Sequence, residues 1–141
     1  MPVENKHPCF ILVNPQMGEN IGASARGMWN FGIDRMRIVS PRDGWPNQKA
    51  VAMASGAGRL LDEALIFQNF TDAIADQHFI FATTARPRDL IKPIYSPEEA
   101  VELAYDKISK GQNVGFAFGP ERSGLENSDI IKANAIVSVP V

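Results

Sequence analysis

The sequence predicts an α/β fold, a mainly parallel sheet with helices on both faces. Three observations carry that expectation. Short strand-like runs recur at residues 10–13, 34–40, 64–67, 78–83, 113–118 and 135–139, that at 34–40 alternating before it turns apolar and the others mainly apolar. Runs of that length, bounded by turn residues, read as strands, and the continuously apolar ones as strands buried on both faces. Segments with helix-start and helix-stop residues lie between them, and strands alternating with helices argue a parallel sheet. No repeat, linker or low-complexity stretch divides the chain, so its 141 residues are expected to form one domain, residues 1–141.

Each element has a local reason. Phe10, Ile11, Leu12 and Val13 form the first strand, and Pro15 and Gly18 break it into a loop. Asn20 is placed to cap a helix through its side-chain oxygen. Gly32 is placed to end it, because glycine tolerates the left-handed conformation. On this helix Gly22, Ala23, Arg26 and Asn30 share a face, being three or four residues apart. Arg26 is thus expected to rise from a surface with almost no side chain around it. A second strand spans 34–40. Two prolines and a glycine make 41–46 a loop. Asn47 caps a short helix through Ser55, which Gly56 and Gly58 end. Residues 64–67 read as an edge strand, 71–77 as one or two helical turns, and 78–83 as a clear strand.

Residues 84–96 form a long loop rich in charge and proline, and such loops in compact domains are often functional. Ser96, Pro97 and Glu99 then make a capping box with proline at the first helical position. That helix reaches Lys110 and stops at Gly111. Residues 113–118 are a buried strand, Asn127 or Ser128 opens a last short helix, and 135–139 form the final strand. In open parallel sheets, ligands sit outside the carboxyl ends of the strands. Asn14, Thr83 and Gly119 each begin a loop at such an end, so three loops gather on one edge.

Composition narrows the function classes. No apolar run approaches the roughly 20 residues of a membrane helix. Residues 4–7 carry charge and no signal-peptide core. The single cysteine, Cys9, cannot form an internal disulfide, which fits a reducing cytoplasm. His7, His78 and Cys9 lack a metal-ligand spacing and read as structural. Gly56 and Gly58 are not a dinucleotide fingerprint, since no strand leads into them and the third glycine is absent. A nicotinamide-dependent oxidoreductase is therefore set aside. The net charge of −2 counts against a general nucleic-acid binder. Basic residues gather at Arg35, Arg37 and Arg42, and again at Arg86, Arg88 and Lys92. RNA would meet a local field, or one supplemented by another subunit or segment.

Two segments resemble a known family. Asn20, Gly22, Ala23 and Arg26, followed by Phe31 and Gly32, are similar to the first motif of the SPOUT methyltransferases, in the SpoU–TrmH branch. Gly119, Glu121, Gly124 and Leu125 resemble that branch's second motif, Gly-x-Glu-x-x-Gly-Leu. The intervening segments 41–46 and 83–86 look closest to the TrmJ-type tRNA 2′-O-methyltransferases. The resemblance runs from about Pro8 to the C-terminus. It implies a SPOUT α/β-knot fold, S-adenosyl-L-methionine as cofactor and RNA as partner, tRNA above all. It implies a cytoplasmic homodimer with no metal and no membrane.

By resemblance, Arg26, Asn20 and Glu121 are the catalytic residues. Thr83, Thr84, Ala85, Gly119 and Val139 hold the cofactor. The family's arginine is credited with activating the ribose 2′-hydroxyl. Arginine is essentially always protonated, so binding the neighbouring phosphate and stabilising a developing alkoxide is the preferred role. Asn20 serves equally well as a helix cap, and Glu121 as a turn residue. Gly119 would let backbone approach the cofactor closely. Trp45 can stack on a base or pack a loop, and packing is preferred.

The family's third motif should begin at Val139, Pro140 and Val141, where the sequence stops. That segment makes the knot, completes the cofactor pocket and forms much of the dimer surface in relatives. The expectation is a C-terminally incomplete domain with apolar surface open around Phe118 and Val139, inactive as an isolated fragment. The leading function is ribose 2′-O-methylation of tRNA at nucleotide 32 of the anticodon loop. The alternatives are a ribosomal RNA substrate and a non-catalytic RNA-binding module of the same fold.

Overall fold

A computed structural model describes residues 7–15, 18, 21–22, 35–42, 44–45, 47–54, 58–84, 91–120 and 124–138. Its strands are β1 (Cys9–Val13), β2 (Met36–Val39), β3 (Leu65–Phe67), β4 (Phe79–Thr84), β5 (Ile94–Tyr95), β6 (Val114–Phe118) and β7 (Ala135–Ser138). Its helices are α1 (Gln48–Ala54), α2 (Gly58–Asp62), α3 (Phe70–Ala73), α4 (Pro97–Ser109) and α5 (Asn127–Ile130). The strands form one sheet in the order β3-β2-β1-β6-β4-β7-β5. Every neighbouring pair runs parallel. All carboxyl ends therefore lie on one edge.

Alternate residues of the strands feed opposite faces, as the pleat requires. Leu12 and Ile38 pack with Ala50, Ala54, Leu60 and Leu61 of α1 and α2. Phe81, Phe116 and Val137 pack with Ala100 and Ala104 of α4. Phe10 and Phe118 touch both groups, so these three helices share a face. Ile11, Val13, Ala82 and Ile136 point the other way, onto Phe70 of α3 and Ile130 of α5. Crossovers toward β3 thus use one face and crossovers toward β5 the other, as a single handedness of connection requires. The parallel sheet with helices on both faces is as expected.

Several boundaries differ from the sequence reading. Gly58 opens α2 rather than ending α1. Glycine is a poor helix former, but buried Leu60 and Leu61 hold the turn against Ala50 and Ala54. The helical turn expected at 71–77 is Phe70–Ala73, capped by the Asn69 side chain, which accepts from the Asp72 N–H at 2.8 Å. Residues 94–95 of the expected long loop form β5, an edge strand paired only with β7. Two residues give no periodic signal, and the partner strand lies some forty residues on. The last helix starts at Asn127, one of its two expected starts, and only its cap is new, Glu126 making no side-chain hydrogen bond.

Other expectations hold closely. Asn47 caps α1, its Oδ1 accepting from the N–H groups of Lys49 (2.9 Å) and Ala50 (3.2 Å). Ser96 and Glu99 form the reciprocal capping box at α4. Gly111 ends that helix with φ +84. The edge strand at 64–67 is β3, at one end of the sheet. No helix among the described residues is long and apolar enough to cross a membrane.

Candidate active site

The parallel register sets the geometry of the carboxyl edge. Thr84 pairs with Ser138 across β4 and β7. Ala82 pairs with Ala117 across β4 and β6, so Gly119 lies level with Thr84 two residues further on. The ends of β6, β4 and β7 are adjacent, and they bring Thr84, Gly119 and Ser138 to one height. The three loops expected to hold the cofactor leave from these three strands. Ala85 and Val139 each follow such an end directly, and both lie outside the described residues. Thr83 is one residue inside β4, and its hydroxyl donates to the Ala117 carbonyl at 2.8 Å. That donor is used inside the fold, tying β4 to β6.

Gly119 has a local duty. A Cβ there would overlap the Gly124 carbonyl and the Leu125 nitrogen. The close approach that the glycine permits is to the chain's own backbone. The Gly124 N–H donates to the Pro120 carbonyl at 2.8 Å, and Gly124 has φ +70. Leu125 is buried in the core beside Ala117 and Ile130. Both glycines and the leucine of the second motif thus close one tight loop. Glu121 stands in that loop and lies outside the described residues.

The first motif is partly described. Gly18, Ile21 and Gly22 have helical backbone, so helix is already present ahead of the expected cap at Asn20. Asn20, Ala23, Arg26 and Asn30 lie outside the described residues. Gly22 is buried, and a Cβ on it would overlap the Ala50 carbonyl oxygen. Gly18 lies equally close to the Asn47 side chain. The face expected to be open at Gly22 is instead seated on α1. Gly18, expected only to break the strand, and Gly22, expected on an open face with Arg26, both serve this packing.

Trp45 and the basic residues singled out in the sequence are mostly committed within the fold, Arg35, Arg37 and Lys92 toward the amino ends of the strands. Trp45 is half-buried against the Leu12–Ile38 cluster, in keeping with the packing role. Arg37 is buried and forked onto Asp76 at 2.6 and 2.8 Å, with a third bond to the Ala73 carbonyl at 2.7 Å. Arg37 holds the Asp76 carboxyl down to about 2. Arg35 donates to the His7 carbonyl, and Lys92 to the carbonyls of Ile131 and Ala133. Three of the six gathered basic residues therefore brace the fold rather than face RNA. Arg86 and Arg88 lie outside the described residues.

Burial pushes the Cys9 thiol up to about 11, against the weaker pull of Arg37 and Arg35. A thiol held protonated in this way is no nucleophile. His78 Nδ1 accepts from the Asn113 N–H at 2.8 Å, a bracing role at the amino end of β4. On the α4 face an apolar groove of about 430 Å³ opens between Phe10, Phe116 and Phe118 of the sheet and Val101 and Tyr105 of the helix.

The all-parallel sheet of this order, with helices on both faces, is the α/β fold of known SpoU-type methyltransferase structures. The family model described as the SpoU rRNA Methylase family matches residues 8–141, and the chain belongs to that family. Over 134 residues it is 38% identical to the tRNA (cytidine-2'-O-)-methyltransferase TrmJ of Methanocaldococcus jannaschii, covering 92% of this chain and 56% of that protein. Over 130 residues it is 32% identical to the tRNA (cytidine/uridine/adenosine-2'-O-)-methyltransferase TrmJ of Pseudomonas aeruginosa, covering 92% and 50%. It superposes on the crystal structure of TrmJ from Z. mobilis with a TM-score of 0.89 and 48% identity, covering 96% of this chain and 59% of that one. The chain thus spans about half the length of the curated relatives it matches.

Proposed function

We propose that this chain is the catalytic domain of an S-adenosylmethionine-dependent tRNA ribose 2′-O-methyltransferase. The observation that carries the reading is the row of strand ends β6-β4-β7, which sets Thr84, Gly119 and Ser138 level on the carboxyl edge. That edge is where an open parallel sheet receives a nucleoside-bearing ligand. Both motifs of the family border it in sequence. The relatives from M. jannaschii and P. aeruginosa differ in the named bases and share the 2′-O position on tRNA. The same specificity is proposed here, with nucleotide 32 of the anticodon loop as target.

Thr84 and Pro120 are half-buried on the carboxyl edge, and the bond from the Gly124 N–H to the Pro120 carbonyl draws together the ends of the second-motif loop. When bound, the cofactor supplies an electrophilic sulfonium methyl, so the protein's share is alignment and charge stabilisation. Thr84, Ala85, Gly119 and Val139 line the cofactor side, with Thr83 fixing the spacing of β4 and β6. Arg26 binds the phosphate next to the acceptor ribose and stabilises the negative charge developing on the 2′-oxygen, whose proton passes to solvent water as the oxygen takes the methyl. Asn20 and Glu121 orient the nucleotide and the arginine. The parent enzyme acts as a cytoplasmic homodimer on this reading.

The test is methyl transfer from labelled adenosylmethionine by the full natural chain, with tRNA and ribosomal RNA offered separately. Label in tRNA, mapped to a ribose at nucleotide 32, is the expected result. Label confined to ribosomal RNA, as the family's description suggests for other members, would replace the substrate. No transfer to either would remove the enzymatic reading.

A further inference from the structure

We propose that Asn14 binds the sugar–phosphate of the acceptor nucleotide, a role that rests on the RNA-methylating function above. Asn14 is the residue that follows β1, an inner strand of the sheet beside the central β6. From β1 the chain crosses to β2 on one side, and from β6 it crosses to β7 on the other. The carboxyl ends of β1 and β6 therefore flank the point where connections part, which is where open α/β sheets bind ligands. Leu12 pairs with Phe118, so Asn14 stands level with Pro120, one step past Gly119. The proposed cofactor loops begin on the far side of that same β6 end.

Asn14 is held there in an unusual backbone conformation. Its φ is +50, and its N–H donates to the Val39 carbonyl at 2.8 Å. The residue is exposed, and among the described residues its side-chain amide has no hydrogen-bond partner. Ser40, at the end of the neighbouring β2, gives the contrast. It too is exposed and left-handed, with φ +43, but its hydroxyl donates to the Gln68 carbonyl at 2.6 Å. Among the described residues the Ser40 side chain has a partner and the Asn14 amide has none. The Arg42 N–H donates to the Pro15 carbonyl at 3.0 Å, which locks the two loops together around Asn14.

A primary amide suits this ligand. Its N–H₂ donates to a phosphate oxygen and its carbonyl accepts from a ribose hydroxyl. It does so without net charge, in a chain whose net charge is −2 and whose Arg35, Arg37 and Lys92 are tied into the fold. The left-handed backbone alone would also favour asparagine, and the choice of variant separates the two explanations. Asn14→Gly keeps the backbone conformation at no steric cost and removes only the amide.

The measurement is methyl transfer to tRNA by the full natural chain, wild type against Asn14→Gly, with Ser40→Gly as control. Melting temperature and adenosylmethionine affinity are read alongside. Asn14→Gly is expected to lower kcat/KM for tRNA about tenfold, chiefly through KM, as loss of one hydrogen bond to a charged group does. Its melting temperature and cofactor affinity should match wild type, and Ser40→Gly should keep full activity. A kcat/KM for Asn14→Gly within twofold of wild type would reduce Asn14 to a turn former and overturn the proposal. If that variant does not fold, Asn14→Asp takes its place, since aspartate also tolerates the conformation but repels phosphate. Wild-type activity on tRNA for Asn14→Asp would overturn the proposal equally. Failure of the wild-type chain itself to methylate RNA would instead strike the parent function, and the Asn14 assignment would fall with it.

Discussion

Single residues decide the chemistry proposed for this chain, and Arg26 is the first to test. In the full natural chain, Arg26→Ala should abolish methyl transfer and leave cofactor affinity nearly unchanged. Turnover above about a tenth of wild type, a barrier change under roughly 1.4 kcal/mol, would remove the arginine from a central role. Gly119 is a test of a different kind. A Cβ there meets the backbone of Gly124 and Leu125, which has no free rotamer with which to yield. Gly119→Ala should displace the second-motif loop and weaken adenosylmethionine binding at least tenfold by titration calorimetry. Unchanged affinity would show that this loop is not part of the pocket. Cys9 makes the opposite point: its thiol is raised to about 11 by burial, so conservative replacement there tests packing alone.

At the scale of elements, the helices are held by caps and one forked ion pair. Ser96→Ala removes the hydroxyl half of the capping box at α4, in which the Ser96 Oγ accepts from the Glu99 N–H, and keeps the backbone N–H that donates to Glu99 Oε1. It should cost about 1 kcal/mol and lower the melting temperature by about 3 °C. Arg37 and Asp76 tie β2 to the end of α3, and Phe67 lies against the guanidinium at 5.6 Å. The folded Asp76 carboxyl titrates near 2, below its ordinary value of 3.8. Its contribution is therefore complete above about pH 4 and is lost as pH falls toward 2. Asp76 is 60% exposed, so solvent screens the pair and the gain is modest. Asp76→Asn should cost about 1 kcal/mol at neutral pH and flatten the loss of stability between pH 4 and 2 in urea titrations. A variant with the wild-type acid limb would assign that limb to other carboxylates.

The whole molecule is a sheet buried on both sides, and its stability concentrates in the centre. Phe81 is fully buried and stacks on Phe116 at 4.7 Å between centroids, across the β4–β6 pair. Phe81→Ala should cost about 3–5 kcal/mol, a large share of the roughly 5–15 kcal/mol that holds a domain folded. The parallel arrangement also fixes where a ligand can sit. In a complex with adenosylmethionine or its demethylated product, the ligand should lie against residues 83–85, Gly119 and Val139. Density on the amino edge, near His78 and Arg35, would sink that assignment.

The sequence by itself determined the strand runs, the Asn47 and Ser96 caps and the Gly111 stop. Each of these depends on contacts within a few residues, so local chemistry suffices. It also carried the two family motifs, because residue types at fixed spacing survive without any knowledge of geometry. The tertiary structure decided the rest, because the deciding contacts join distant parts of the chain. β5 exists only through its pairing with β7. Gly58 is helical because Leu60 and Leu61 are buried against α1. Arg37 and Lys92 look like RNA-binding cations in sequence and prove to be braces, since Asp76 and the Ala133 carbonyl lie some forty residues away. Gly22 read as open surface and is instead in contact with the Ala50 carbonyl. Asn14 is the converse case: in sequence it begins a loop at a strand's carboxyl end, and the sheet order places it beside the β6 end, at the point where the connections part.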